Sequence, residues 1–222
     1  MQPNFQTMTQ TGDLAQVRNK VLKNTYALLS MTLLFSALMA GVSVALNPPY
    51  FTGLITSIAA MLVMWFVLPR TANSGAGVLA VFGITGLLGF GLGPLLNHYL
   101  STTNGAQLIM TSLGGTGIIF LGLSAYALTT KRDFSFMGGM LMVGMIVVVL
   151  AALANIFLEM PALSMTISAV VILLMSGFIL YDTSRIVNGG ETNYIMATIG
   201  LYLSIYNIFV SLLQLLGFAS ND

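Results

Sequence analysis

The chain has 222 residues, 57% of them hydrophobic and 6% charged, with a mean hydropathy of +0.94. Globular domains carry roughly a quarter charged residues, and a chain this short has too few polar side chains to cover a water-facing surface, so lipid must solvate most of it. A net charge of +1 offers no basic field for nucleic acid, and the absence of cysteine excludes disulfides, thiolate metal sites and cysteine nucleophiles.

The first segment, residues 1–17, is polar and Gln/Thr-rich and reads as a flexible cytoplasmic tail. Behind it, residues 18–222 form the membrane domain. A span takes about 20 apolar residues. In chain order the runs are Tyr26–Leu46, Phe51–Leu68, Val78–Leu100, Ala106–Leu128, Phe136–Leu158, Ala162–Tyr181 and Ile195–Phe218. The first lacks a small-residue cleavage site behind it and is long enough to span, so it reads as a retained helix and not a signal peptide. Breaks between the runs carry Asn47-Pro48-Pro49, Pro69-Arg70, Ser101 to Gly105, Lys131-Arg132-Asp133, Glu159-Met160-Pro161 and Asn188-Gly189-Gly190-Glu191. The predicted fold is all-α: a polytopic bundle of seven transmembrane helices.

Seven spans put all seven cations on one side: Arg18, Lys20, Lys23, Arg70, Lys131, Arg132 and Arg185. The positive-inside rule then places the N-terminus in the cytoplasm and Asp222 outside.

The seventh run carries a stripe. Gly200, Ser204, Asn207, Ser211 and Gln214 recur at spacings of four and three, so they share one helix face. Polar groups in hydrocarbon need partners, so the stripe should face other helices, either as interhelical glue or as a water-accessible path. Tyr202 and Tyr206 add hydroxyls on a neighbouring face. Glycines crowd the third and fourth spans, with Gly89 and Gly93 in a GxxxG spacing that suits close helix packing. Pro94 should kink or end the third helix.

Charges at span edges are few. Asp182 directly follows an apolar run, with Arg185 three residues on and on the same helix face. The pair reads either as an interfacial ion pair or as a pH-dependent latch built on a desolvated carboxylate. His98 reads as an interfacial polar residue. One histidine and no cysteine give no basis for a zinc site, no cofactor is implied, and no spacing suggests a nucleophile–base pair.

Five stretches carry a family resemblance: Arg18–Thr25, Gly86–Leu100, Lys131–Leu141, Phe178–Tyr194 and Leu201–Asp222. Together they resemble the Bax-inhibitor (TMBIM, or lifeguard) family, in its bacterial YccA-like branch. The resemblance implies six helices around a central seventh and a place in the bacterial inner membrane, with the C-terminus periplasmic. It also implies two activities. One is binding and modulation of the membrane-embedded, ATP-dependent protease FtsH, as a poorly degraded substrate. The other is a pH-sensitive calcium leak, in which an aspartate ending the sixth helix pairs with one in the seventh near an arginine of the second. Asp182 matches the first aspartate, Ser204 takes the place of the second, and Arg70 is the nearest basic residue to the expected arginine. Serine neither binds calcium as a carboxylate does nor shares a proton by like-charge repulsion. The resemblance therefore favours protease modulation, with the bilayer and an FtsH-type complex as partners and calcium ions belonging to the alternative.

Overall fold

A computed structural model of the chain describes the backbone over residues 5–220 and the side chains over residues 16–220. Seven helices are long and apolar enough to span a membrane. They are α1 (Phe5–Leu46), α2 (Thr52–Thr71), α3 (Gly75–Leu100), α4 (Gly105–Thr130), α5 (Ser135–Leu158), α6 (Pro161–Asn188) and α7 (Tyr194–Ala219). Of the segment expected to be a tail, residues 1–4 lie outside the described residues; from Phe5 the backbone is helical and continues into the first span.

The exterior of the bundle is strongly apolar. Leu34, Ile118, Phe136 and Phe157 are among many large side chains more than 70% exposed. Contiguous surface of this kind in water would be an aggregation patch; against acyl chains it is a solvated face. Thr25, Thr32, Ser43, Thr85 and Ser112, by contrast, are fully buried. Small polar residues inside let helix backbones approach where lipid gives no hydrophobic drive to association.

The closest approaches use glycine. A Cβ on Gly89 would fall 2.6 Å from Ser36 Oγ and against the Ser36 carbonyl, and one on Gly93 would strike Ser43. The GxxxG pair thus seats α3 directly on α1. Helix α3 breaks at Leu92, and its second piece opens with Pro94 at the start of the new turn, as proline's missing N–H favours. In α2 a π-helical stretch, Val63–Val67, precedes Pro69. A π turn lets the helix run on where proline cannot donate and would clash one turn back.

Helix α7 packs against α6, α4, α1 and α3, while α2 joins the bundle on α3 and α5 joins it on α6. The resemblance implied a ring of six around α7; the principal neighbours here are four. Leu201, Ile208 and Leu213 of α7 have no exposed surface.

Candidate functional site

The site is built on the α6–α7 hairpin. Gly189 ends α6 in the left-handed region at φ 80°, a conformation that costs glycine least. The turn is closed by the Gly190 N–H donating to the Arg185 carbonyl at 2.8 Å. Asn193 then starts α7: its side-chain oxygen accepts from the N–H groups of Ile195 at 2.9 Å and Met196 at 3.2 Å. Its Nδ2 donates to the Ala72 carbonyl at 3.0 Å and to Asn73 Oδ1 at 2.9 Å. One residue therefore caps α7 and ties it to the α2–α3 loop. The sequence reading passed over Asn193, although an Asn directly before an apolar run is a helix-start signal.

The hairpin sets α6 and α7 in a register that puts Asp182 on Gly200. A Cβ there would lie 2.9 Å from Asp182 Oδ2, so the absence of a side chain is what admits the carboxylate. Gly200 opens the stripe expected from sequence, and the last member of the stripe meets the same helix: Ser168 Oγ donates to Gln214 Oε1 at 3.1 Å. The stripe faces α6, as expected of polar groups that must avoid lipid.

Its inner members turn on their own helix. Ser204 is buried and donates to the Gly200 carbonyl at 3.1 Å; Asn207 Nδ2 donates to the Leu203 carbonyl at 2.8 Å. Ser211 is buried as well. Between Ser168 and Asp182 the buried face of α6 is apolar, with Met175 and Ile179 clustered on Ile208.

The cations do not converge on Asp182. Arg185 Nη2 pairs with Glu191 Oε2 at 3.4 Å, the one salt bridge among the described residues, and also donates to the Gly190 carbonyl at 3.1 Å. Its guanidinium lies over the Tyr181 ring, 5.5 Å from the centroid. Of the two readings of Asp182, the ion pair with Arg185 is not formed; Arg185 pairs with Glu191, which the tight turn returns to the partly hydrated end of α6. Arg70 is exposed and donates to the Phe66 carbonyl at 2.6 Å, so it stays on α2.

A second polar node joins three helices. Tyr202 is buried, shares a 2.6 Å hydrogen bond with Ser36 Oγ of α1, and donates to the Thr85 carbonyl of α3 at 3.3 Å. Ser36 and Thr85 carried no signal in the sequence, since small hydroxyl residues are common inside spans. Buried hydroxyls without a protein partner occur on Thr25, Tyr26, Ser43, Ser124 and Thr183. All but Ser43 belong to the half of the bundle that holds Asp182 and the cations. Ordered water is the usual partner for such groups.

The profile of the family described as "Inhibitor of apoptosis-promoting Bax1" matches residues 18–221. The chain belongs to the Bax-inhibitor family. Among relatives in that family, the chain is 54% identical over 204 residues to an Escherichia coli protein named "Modulator of FtsH protease YccA", covering 92% of each chain. It is 49% identical over 221 residues to a membrane protein of Vibrio cholerae, covering 99% of each. A Pseudomonas aeruginosa relative is 45% identical over 202 residues, covering 91% of this chain and 90% of its own. Seven apolar helices and this kinship make the chain a multi-pass membrane protein of the Bax-inhibitor family.

Proposed function

We propose that the chain is a non-enzymatic inner-membrane protein that binds an FtsH-type protease and modulates it as a poorly degraded substrate. The observation that carries the reading is its 54% identity, across 92% of both chains, to a relative named for modulating that protease. Two features of the fold suit the role. With the cations inside, the backbone of α1 is helical from Phe5, well ahead of the apolar run that opens at Tyr26, and this leading part lies toward the side where an ATP-dependent protease would engage it. The glycine contacts of α3 on α1 and of α7 on α6 lock the bundle against extraction one helix at a time. Deleting residues 2–16 should slow turnover in cells containing FtsH while the remaining domain still co-purifies with the protease. Unchanged turnover together with failure to co-purify would sink the proposal.

The calcium reading has one observation behind it, the unpartnered hydroxyls in the half of the bundle around Asp182. Against it, the described residues hold no cluster of three carboxylate or histidine side chains. Calcium takes six to eight oxygen ligands, usually with several carboxylates, and Asp182 with Ser204 supplies one.

A further inference from the structure

Serine and threonine inside these helices commonly turn their hydroxyls onto their own backbone. Ser112, Thr116 and Ser204 donate to the carbonyl one turn back at 2.8, 2.7 and 3.1 Å. Thr25, Ser124 and Thr183 do not. They are 0%, 3% and 0% exposed, and their hydroxyls meet no protein partner; nor does the buried hydroxyl of Tyr26.

These four stand at one level of the bundle. The Tyr26 ring of α1 lies 6.1 Å from the Phe120 ring of α4, and Phe120 packs on the cluster that holds Ile179 of α6. Helices α4 and α6, as alternate spans, run in the same direction. Ser124, one turn past Phe120, therefore comes level with Thr183, one turn past Ile179. Thr25 is fixed at this height by its carbonyl, which accepts from Thr198 Oγ1 of α7 at 3.3 Å. Thr198 is two residues before Gly200, on which Asp182, the neighbour of Thr183, rests. Three helices thus bring unpartnered hydroxyls to one junction, at which α1 and α4 make no substantial contact with each other.

The chemistry of the junction selects its ligand. A buried hydroxyl left dry is costly, and each one can both donate and accept. Among the described residues no group of three carboxylate or histidine side chains could hold a metal, and Arg185 is already engaged by Glu191. A small neutral ligand that donates and accepts is what fits. Buried water takes about three such partners.

We propose that Thr25, Tyr26, Ser124 and Thr183 bind a cluster of ordered water that links α1 to α4 and α6. Two measurements on the full chain test it. In mild detergent, Ser124→Ala and Thr183→Val each take a partner from the water and should lower the denaturant midpoint of unfolding. Dry hydroxyls demand the reverse, because either substitution would then relieve an unpaired polar group; an unchanged or raised midpoint for either variant overturns the proposal. X-ray hydroxyl-radical footprinting reads the water directly, since the radicals arise from water held against a side chain. Tyr26 should be oxidised in the wild type, whereas Tyr202, whose hydroxyl is bonded to Ser36 and Thr85, should not. Oxidation of Tyr26 should fall several-fold in a Ser124→Ala/Thr183→Val variant. Should the variants fail to fold, the wild type decides alone: a Tyr26 as inert as Tyr202 overturns the proposal, as does Tyr26 oxidation that persists in the folded double variant.

Discussion

Gly89→Ala tests whether α3 is held on α1 by backbone proximity. Its new methyl group would sit 2.6 Å from Ser36 Oγ, about 0.8 Å inside ordinary contact at 3.4 Å, and closer still to the Ser36 carbonyl. The carbonyl cannot rotate away, so the two helices must separate. Overpacking of this kind costs about 1–3 kcal/mol. Displacing Ser36 also strains its hydrogen bond to Tyr202, worth about 1 kcal/mol. Alanine returns about 0.5–1 kcal/mol through its better helix propensity, so the net loss should be about 2 kcal/mol. Gly83 provides the control: it lies on the exposed side of the same helix, and a Cβ there meets nothing within 4 Å. Gly83→Ala should be neutral or stabilising by up to about 1 kcal/mol. Denaturant unfolding of both variants in one mild detergent measures the difference. Equal stabilities, or a Gly83→Ala loss as large as that of Gly89→Ala, would refute the packing account.

Asn193→Ala removes both a helix cap and the tie to Ala72, and should cost about 1–2 kcal/mol in the same assay; Asn193→Ser, which keeps a capping oxygen, should recover part of it. Ser204→Asp sets a second carboxylate one turn from Gly200, within like-charge reach of Asp182. Calcium flux from liposomes should be weak in the wild type and become pH-dependent in the variant between about pH 6 and pH 8; strong wild-type flux abolished by Asp182→Asn would make conduction the primary function. In the α4–α5 loop, the hydroxyl and N–H of Ser135 hold the Asp133 carboxyl below its ordinary 3.8. The order this contact gives the loop is full above that value and is lost as pH falls through the lower folded value; loop amide exchange should show the loss, and Asp133→Asn should abolish its pH dependence. A reporter fused at Asp222 should be active only outside the cytoplasm, and cytoplasmic activity would mean that α7 does not cross.

All seven spans were legible because their signals are local: apolar runs of membrane length, separated by Pro, Gly, Asn and charged residues. Helix ends were not. The apolar run of the sixth span ends at Tyr181, but α6 continues to Asn188, where Thr183, Ser184, Ile186 and Val187 are buried. Hydropathy registers lipid, not protein cover. At the site, the facing direction of the α7 stripe followed from periodicity and the cost of polar groups in hydrocarbon. The meeting of Asp182 with Gly200 did not, because it depends on the register between two helices, which the Gly189–Asn193 turn fixes. For the same reason spacing suggested Arg185 as the partner of Asp182, while the folded loop gives Arg185 to Glu191.

The polar groups of the stripe make few hydrogen bonds beyond their own helix. As glue, it should hydrogen-bond across helices; among the described residues only Gln214 does so, with Ser168. Between Ser168 and Asp182, α6 contributes the buried apolar side chains of Met175 and Ile179, which pack on Ile208 of α7. What Gly200, Ser204 and Ser211 share is small size, and Ser204 directs its hydroxyl at its own backbone. At Gly200 the stripe is a point of close approach to Asp182, and Ser204 keeps its own polarity satisfied on the helix. The α6–α7 hairpin carries Asp182 at the end where the unpartnered hydroxyls of Thr25, Tyr26, Ser124 and Thr183 belong. Water entering the bundle would find partners at that end and the buried apolar side chains of Met175 and Ile179 beyond it.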